Sequence, residues 1–149
     1  MNNANAKWVS LVGRVLLGVL FVLSGFGKLG NWEPTVALMT SQGLPLANLL
    51  LAGAAASELA GGLSLLLGYR TRWGALLLAA LLVPISLTMH AFWTQTGEAH
   101  QMHLIHFLKN LSIIGGLLAQ SIAGPGALSL DARREQRHPA TASPLPQHA

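Results

Sequence analysis

Four long apolar segments limit what this chain of 149 residues can fold into. They cover about residues 9–29, 46–67, 73–93 and 104–122. A helix rises about 1.5 Å per residue, so each segment is long enough to cross roughly 30 Å of hydrocarbon. None alternates apolar and polar residues as barrel strands do, and a helix satisfies its own backbone hydrogen bonds in lipid. The sequence therefore predicts an all-α integral membrane protein, an antiparallel bundle of four helices.

The composition fits a protein that faces lipid. Charged residues make up 9% of the chain, whereas soluble domains devote about a quarter of their residues to charge. The net charge of +4 comes from basic residues beside or within the apolar segments, with no basic stripe of the kind that nucleic-acid binding needs. We therefore expect the lipid bilayer, and no nucleic acid, as a partner. The chain has no cysteine, which excludes disulfides, thiolate nucleophiles and cysteine-ligated metals.

Tryptophan, lysine and arginine predict the orientation of the bundle. All four tryptophans lie at or just beyond the ends of the apolar segments, where indole favours the headgroup boundary. The loops 30–45 and 94–103 carry no lysine or arginine, whereas the N-terminus, the 68–72 turn and the C-terminal tail carry six. These six are Lys7, Arg70, Arg72, Arg133, Arg134 and Arg137. Because basic loops stay inside, both termini are predicted to be cytoplasmic.

The connections add a short helix and a tail to this bundle. The loop after the first segment begins Asn31-Trp32-Glu33-Pro34 and ends Gly43-Leu44-Pro45, which are helix boundary signals. They predict a short helix on the outer interface between the first two spans. We expect residues 1–130 to form the transmembrane domain, and residues 131–149, with three prolines and little apolar content, to form a disordered cytoplasmic tail.

Two ionisable residues deep in the first two spans predict an ion pair. A charged side chain at the bilayer centre costs about 2.5–3.5 kcal/mol, so it needs a partner or a purpose. Arg14 lies about six residues from the cytoplasmic end of its span, and Glu58 about nine residues from that end of the next span. Glu58 is also the only acid within any of the four apolar segments. We predict a structural ion pair between Arg14 and Glu58.

A second polar group lies near the outer ends of the spans and contains Lys28, His90, His106, Lys109 and Asn110. These are nearly all hydrogen-bond donors without a matching acid, so they favour a ligand with acceptor oxygens, anionic or carbonyl-bearing, such as a quinone. Alternatively, the lysines reach lipid headgroups and the polar side chains serve only packing and insertion. The sequence leaves both interpretations open.

Metal binding and known catalytic motifs find little support. His100, His103 and His106 are spaced by three, and steps of three turn too far for all three to face one ion on a single helix. No acidic or thiolate ligand lies in register with them, so no metal site is predicted. The chain has no Walker loop, GxSxG elbow or dinucleotide fingerprint, and we assign no catalytic residue.

Several short motifs, in order and spacing, resemble the DoxX family of small bacterial four-helix membrane proteins over about residues 13–131. The matching elements are Gly13-Arg14-x3-Gly18, Ser24-Gly25-x2-Lys28-Leu29, Gly43-Leu44-Pro45, Glu58-x2-Gly61-Gly62, His90-x-Phe92-Trp93, His106-Phe107-x-Lys109-Asn110-Leu111, Gly115-Gly116 and Gly124-Pro125-Gly126-x2-Ser129-x-Asp131. The resemblance implies a multi-pass protein of the bacterial inner membrane, connected with redox and sulfur metabolism. The family takes its name from a subunit of a thiosulfate:quinone oxidoreductase.

Three functions are compatible with these features. The first is a quinone- or small-molecule-binding membrane subunit of an oxidoreductase system, with redox-enzyme subunits as partners. The second is a non-catalytic membrane anchor or assembly partner, in which the polar residues satisfy one another. The third is a small transporter with a polar route from the predicted Arg14–Glu58 pair to the outer group. Glycine-rich faces on the first, second and fourth spans suit packing within the bundle or between two copies of the chain.

Overall fold

The computed structural model describes residues 3–137, and nearly all of them are helical. The helices are α1 (Asn3–Gly30), α2 (Trp32–Ser41), α3 (Ala47–Leu67), α4 (Thr71–Met89), α5 (Gly97–Ala123) and α6 (Leu130–Arg137), and Phe92–Thr94 forms a single 3-10 turn. By length and composition, α1, α3, α4 and α5 can each span a membrane. The all-α fold with four candidate spans is confirmed, and so is a short helix, α2, between the first two.

Several predicted boundaries change: α1 begins at Asn3 and α4 ends at Met89, and two larger differences concern α5 and the tail. The fourth span was expected to begin at residue 104, but α5 already begins at Gly97, because a helix can continue from the hydrocarbon through the headgroup layer. The prediction of disorder from residue 131 is wrong for residues 131–137, which lie in α6. This helix has a defined start, since the Ser129 hydroxyl accepts a hydrogen bond from the backbone N–H of Ala132 at 3.1 Å. Residues 138–149 of the predicted tail lie outside the described residues.

Helix packing follows the order α1–α3–α4–α5, and α1 and α5 contact each other only slightly. Between α1 and α3, Gly18 lies against Gly62, and Gly25 lies against Ala55. A Cβ added at Gly18 or Gly62 would lie 3.0 Å from the facing backbone oxygen, so a larger residue at either position would have to push the two helices slightly apart. The pairing of rising with falling residue numbers shows that α1 and α3 are antiparallel.

The core lies where α1, α3, α4 and α5 meet, and its largest buried apolar side chains are Phe21, Leu65, Leu78, Leu82 and Leu117. A second, smaller cluster joins α2 to α3 and holds α2 across one end of the bundle. We call the end that carries α2 the outer end. The opposite end, with the α3–α4 turn and α6, is called the inner end, following the orientation that the basic residues predict.

Candidate functional site

The ion pair inside the bundle joins Lys28 to Glu58. The Lys28 Nζ lies 2.8 Å from both carboxylate oxygens of Glu58, and it also donates to the Ser24 hydroxyl at 2.9 Å. Glu58 is 3% exposed, and the Lys28 side chain is 23% exposed. Three acceptors around one ammonium satisfy all of its N–H donors, which is the arrangement that a charge in a low-dielectric bundle requires.

The predicted Arg14–Glu58 pair is therefore wrong, and the reason is side-chain direction. The packing of α1 on α3 places the level of Glu58 near Val22, between Arg14 and Lys28 along α1. Side chains on a helix lean toward its N-terminus. Lys28 therefore leans toward that level and Glu58 leans toward the outer end, whereas Arg14 leans away from both. Depth along the chain alone placed Lys28 in an outer group without an acid, whereas the direction of the side chains brings Lys28 to Glu58.

Arg14 instead binds the backbone at the inner end of the bundle. Its guanidinium donates hydrogen bonds to the carbonyl oxygen of Pro125 and, at 2.7 Å, to that of Leu128. Arg14 is 1% exposed, and it packs directly beneath Gly68 in the α3–α4 turn. One buried cation thus holds the loop that joins α5 to α6 against α1 and the α3–α4 turn.

The same inner end contains a helix cap made by a distant residue. Arg70, the residue before α4, has a left-handed backbone with φ of 49° and makes no side-chain cap of its own. The Asp131 carboxylate accepts the backbone N–H of Arg70 at 3.0 Å and that of Thr71 at 3.3 Å. A carboxylate at a helix N-terminus also offsets the helix dipole. Asp131 therefore joins the start of α6 to the start of α4.

An apolar cavity of about 190 Å³ lies at the outer end beneath α2. Its walls come from α2, α3 and α4, and they are almost entirely hydrophobic; they include Met39, Leu51, Ala54, Pro84 and Met89. Lys28 is the one charged residue among the described residues that line it. Sequence reasoning missed this cavity because apolar walls look like ordinary core, although the two methionines gave a weak signal, since methionine is common at adaptable apolar surfaces.

Histidine rings form a separate group where α4 and α5 meet at the outer end. The rings of His90 and His106 stack with centroids 5.0 Å apart, and the ring of His103 lies 5.8 Å from that of His90. Lys109 extends this group, with its Nζ 3.1 Å from the Nδ1 of His106. The buried Nδ1 atoms of His90 and His103 have no hydrogen-bond partner within residues 3–137.

Asn110 links the two helices that carry these histidines. Its buried side-chain amide donates to the hydroxyl of Ser86 at 3.1 Å, and Ser86 donates in turn to the carbonyl of Leu82 at 2.6 Å. Such a buried hydrogen-bond chain between spanning helices is a common packing device in membranes. The ligand-binding role predicted for Asn110 stays a prediction, but its amide already has a structural partner.

The predicted outer group thus divides into two parts. Lys28 lines the cavity beneath α2, whereas His90, His106, Lys109 and Asn110 are not among the described residues that line it. His103 belongs with the second part and was missed as a site residue, although its spacing of three from His106 gave the signal. No three histidine, aspartate or glutamate side chains of the described part are arranged as a metal-binding group.

Four spanning helices with a buried ion pair beside an apolar cavity define a small multi-pass membrane protein with a potential ligand site between its helices. Comparison with known proteins makes this assignment specific. The chain belongs to the DoxX family, whose family model matches residues 9–91. The resemblance predicted from the short motifs is therefore confirmed.

Curated relatives agree with this assignment. The chain is 35% identical to the inner membrane protein YphA of Escherichia coli over 83% of this chain and 88% of that protein. It is 36% identical to the inner membrane protein YqjF of the same organism over 81% of this chain and 88% of that protein. No solved structure matches the chain.

A more distant similarity reaches eukaryotic proteins. The SURF4 family model matches residues 58–137. The chain is 26% identical to the ER-derived vesicles protein ERV29 of Saccharomyces cerevisiae, over 91% of this chain but only 37% of that larger protein. The SURF4 match covers the α3–α4 turn, α5 and α6, so the similarity to known families extends beyond the first four helices.

Proposed function

We propose that this protein, located in the bacterial inner membrane, binds a small apolar molecule with acceptor oxygens and serves an oxidoreductase system as a membrane subunit. A quinone is the ligand class that fits best. The observation that carries the proposal is the apolar cavity of about 190 Å³ beneath α2 with the Lys28 ammonium at its wall. The implied connection of the DoxX family with quinone-dependent oxidation supports the redox part of the proposal.

The chemistry of the cavity favours a ligand that is mostly apolar. Small-molecule sites are typically hydrophobic clefts with one or a few polar groups that fix orientation. Here a ring or an isoprenoid chain would lie against Leu51, Ala54 and Met89, and a ring carbonyl would meet Lys28. That carbonyl would replace the Ser24 hydroxyl as an acceptor, because this exchange leaves the ion pair with Glu58 intact.

Binding of short-chain ubiquinone and menaquinone analogues to the detergent-purified protein tests the proposal. Quinones quench tryptophan fluorescence, and Trp32 packs beside the cavity at the start of α2. Ala54→Leu should fill the cavity and weaken binding at least about tenfold, equivalent to about 1.4 kcal/mol. Ala56→Leu is the matched control, since Ala56 is exposed on the same helix and does not line the cavity.

The polar contact needs a separate pair of variants. Lys28→Met alone would leave a buried carboxylate without a partner, so the double variant Lys28→Met, Glu58→Met is the appropriate test. We expect it to fold and to bind quinone more weakly, while Lys109→Met, which removes a lysine that does not line the cavity, should bind normally. Equal binding by the Ala54→Leu and Ala56→Leu proteins would place the ligand elsewhere.

A non-catalytic anchor or assembly partner is the second candidate function. One observation favours it: within the described residues, the charged side chains of Arg14, Lys28 and Glu58 all have hydrogen-bond or ion-pair partners inside the chain. If the unaltered protein binds neither quinone, this function becomes the better proposal. The transporter interpretation loses its basis, because the Arg14–Glu58 pair from which its polar route was to start does not form.

A further inference from the structure

A groove of about 430 Å³ opens at the inner end of the bundle, on the opposite end from the cavity beneath α2. It lies between α1, the last turn of α3 and the loop that leads into α6. One part of its wall is apolar and includes Trp8, Leu11, Leu67 and Leu128. The other part carries two cations, Arg14 and Arg133, and the described residues of the lining include no carboxylate.

The charges around this groove favour an anion. Arg14 is 1% exposed and donates to two backbone carbonyls, so it adds positive charge behind the wall of the groove but does not itself contact a ligand. Arg133 is exposed at the rim, and Lys7 lies beside the ring of Trp8. Two carboxylates lie within two residues of Arg133, and neither lines the groove: Asp131 is occupied by the backbone N–H groups at the start of α4, and Glu135 is exposed on α6.

The mouth of the groove lies at the predicted level of the lipid headgroups, and its apolar wall extends from there into the bundle. Trp8, in its wall, stands just before the first apolar segment, where indole marks the boundary between hydrocarbon and headgroups. The helix α6 begins at Leu130 and carries three arginines along its eight residues. The groove is thus apolar toward the bundle and basic toward α6.

We propose that this groove binds one anionic phospholipid of the predicted cytoplasmic leaflet. The headgroup phosphate lies at the exposed Arg133 on the rim, and an acyl chain lies along Trp8, Leu11 and Leu67 toward the bundle. Basic pockets between spanning helices on the cytoplasmic side are recognised lipid-headgroup sites. A soluble phosphate ester offers the same phosphate chemistry but would leave the leucines of the groove uncovered, so the lipid fits better.

Lipid binding by the full-length protein in phosphatidylcholine nanodiscs, titrated with phosphatidylglycerol of the same acyl chains, tests this site. Native mass spectrometry counts the bound lipid, and thermal stabilisation follows the affinity. Arg133→Gln should weaken phosphatidylglycerol binding by roughly fivefold. Arg72→Gln is the matched control, because Arg72 is an exposed arginine near the same end that does not line the groove.

A second variant separates the shape of the groove from its charge. Ala127 lines the groove and is exposed, so Ala127→Trp should fill it while every charge is kept. Loss of phosphatidylglycerol binding in Ala127→Trp, with normal binding in Arg72→Gln, supports the site. Equal losses in Arg133→Gln and Arg72→Gln would show diffuse attraction to the surface and overturn it. Glycerol phosphate that binds as tightly as the lipid would also overturn it as a lipid site.

Discussion

The charged side chains at the two ends of the bundle have different kinds of partner. At the inner end, Arg14 and Asp131 bind backbone carbonyl and N–H groups of segments far away in the chain. At the outer end, Lys28 and Glu58 bind each other and a hydroxyl, side chain to side chain. A hydrogen bond to a backbone group holds that segment of the chain in place, because the group cannot turn away without moving the backbone. Side-chain contacts can exchange partners without moving a helix.

This difference suggests a division of labour. The inner end joins α1, the α3–α4 turn and α6, and none of these contacts can be released without exposing unpaired backbone groups. The outer end places an exchangeable ammonium beside an apolar cavity, as a ligand site requires. We therefore expect inner-end substitutions to change stability and outer-end substitutions to change binding, once the buried ion pair is treated as a unit.

Breaking the outer ion pair from one side gives the largest expected effect. Lys28→Met leaves the Glu58 carboxylate, 3% exposed, without its cation, which should lower the free energy of unfolding by about 3–5 kcal/mol. Lys28→Met, Glu58→Met removes both charges and should recover most of that loss. Unfolding with increasing detergent denaturant, followed by circular dichroism, measures both. If the double variant is as unstable as the single one, the ion pair itself is required for stability, as the Arg14 contacts at the inner end are expected to be.

The next largest effect on stability is expected at Gly68, in the α3–α4 turn that packs on Arg14 at the inner end. Gly68 has a φ of 66°, and an added Cβ would meet the Arg14 guanidinium and the Cβ of Ser129 below 3 Å. Gly68→Ala should therefore lose about 1–3 kcal/mol from overpacking, with about 1 kcal/mol more for the left-handed backbone. Gly115→Ala is the control, since nothing lies within 4 Å of its added Cβ. Similar stabilities for the two variants would show that the inner end accommodates an added methyl group at Gly68 without loss of stability.

The sequence predicted the architecture more fully than the contacts within it. The four spans and α2 follow from hydrophobic length and boundary residues, which are local signals that the structure confirms. The predicted partner of Glu58 was wrong, because depth along the chain placed Lys28 in the outer group and only the direction of side chains on antiparallel helices brings Lys28 to Glu58. Asp131 was assigned to a disordered tail, because its partners, Arg70 and Thr71, are some sixty residues away in sequence.

The Asp131 cap provides a smaller test of how the inner end is held. Asp131→Ala removes the acceptor for the first two N–H groups at the start of α4 and should lower the free energy of unfolding by about 1 kcal/mol. Asp131→Asn keeps an acceptor oxygen and should lose less. The same unfolding measurement compares them. If both variants match the unaltered protein, α6 is held by the Arg14 contacts and by the hydrogen bond from the Asp131 backbone N–H to the Gly68 carbonyl, which both variants keep.

The smallest expected effect concerns Tyr69, which lies in the α3–α4 turn outside the spans and is the one tyrosine of the chain. The Arg134 guanidinium of α6, as a hydrogen-bond donor and a nearby charge, lowers the pKa of Tyr69 from its usual value, and the charge of Arg70 adds to this. The folded protein therefore releases the phenolic proton at a lower pH than the unfolded chain. The resulting stabilisation is fully present above the unfolded pKa and is lost as the pH falls through the folded one.

Because the chain has a single tyrosine, its ionisation can be followed directly in the near-ultraviolet absorption of tyrosinate. Arg134→Gln should raise the pKa of Tyr69, and Arg72→Gln, an equal change of charge in the neighbouring turn, should raise it less. If Arg134→Gln leaves the pKa of Tyr69 unchanged, α6 does not pack against the α3–α4 turn in the membrane. Since Asp131 and Arg134 lie on that same short helix, such a result would also predict that Asp131→Ala has no effect on stability. Tyr69 lines neither of the two proposed ligand sites. Its titration therefore tests only whether α6 packs against the α3–α4 turn, as the backbone contacts of Asp131 indicate.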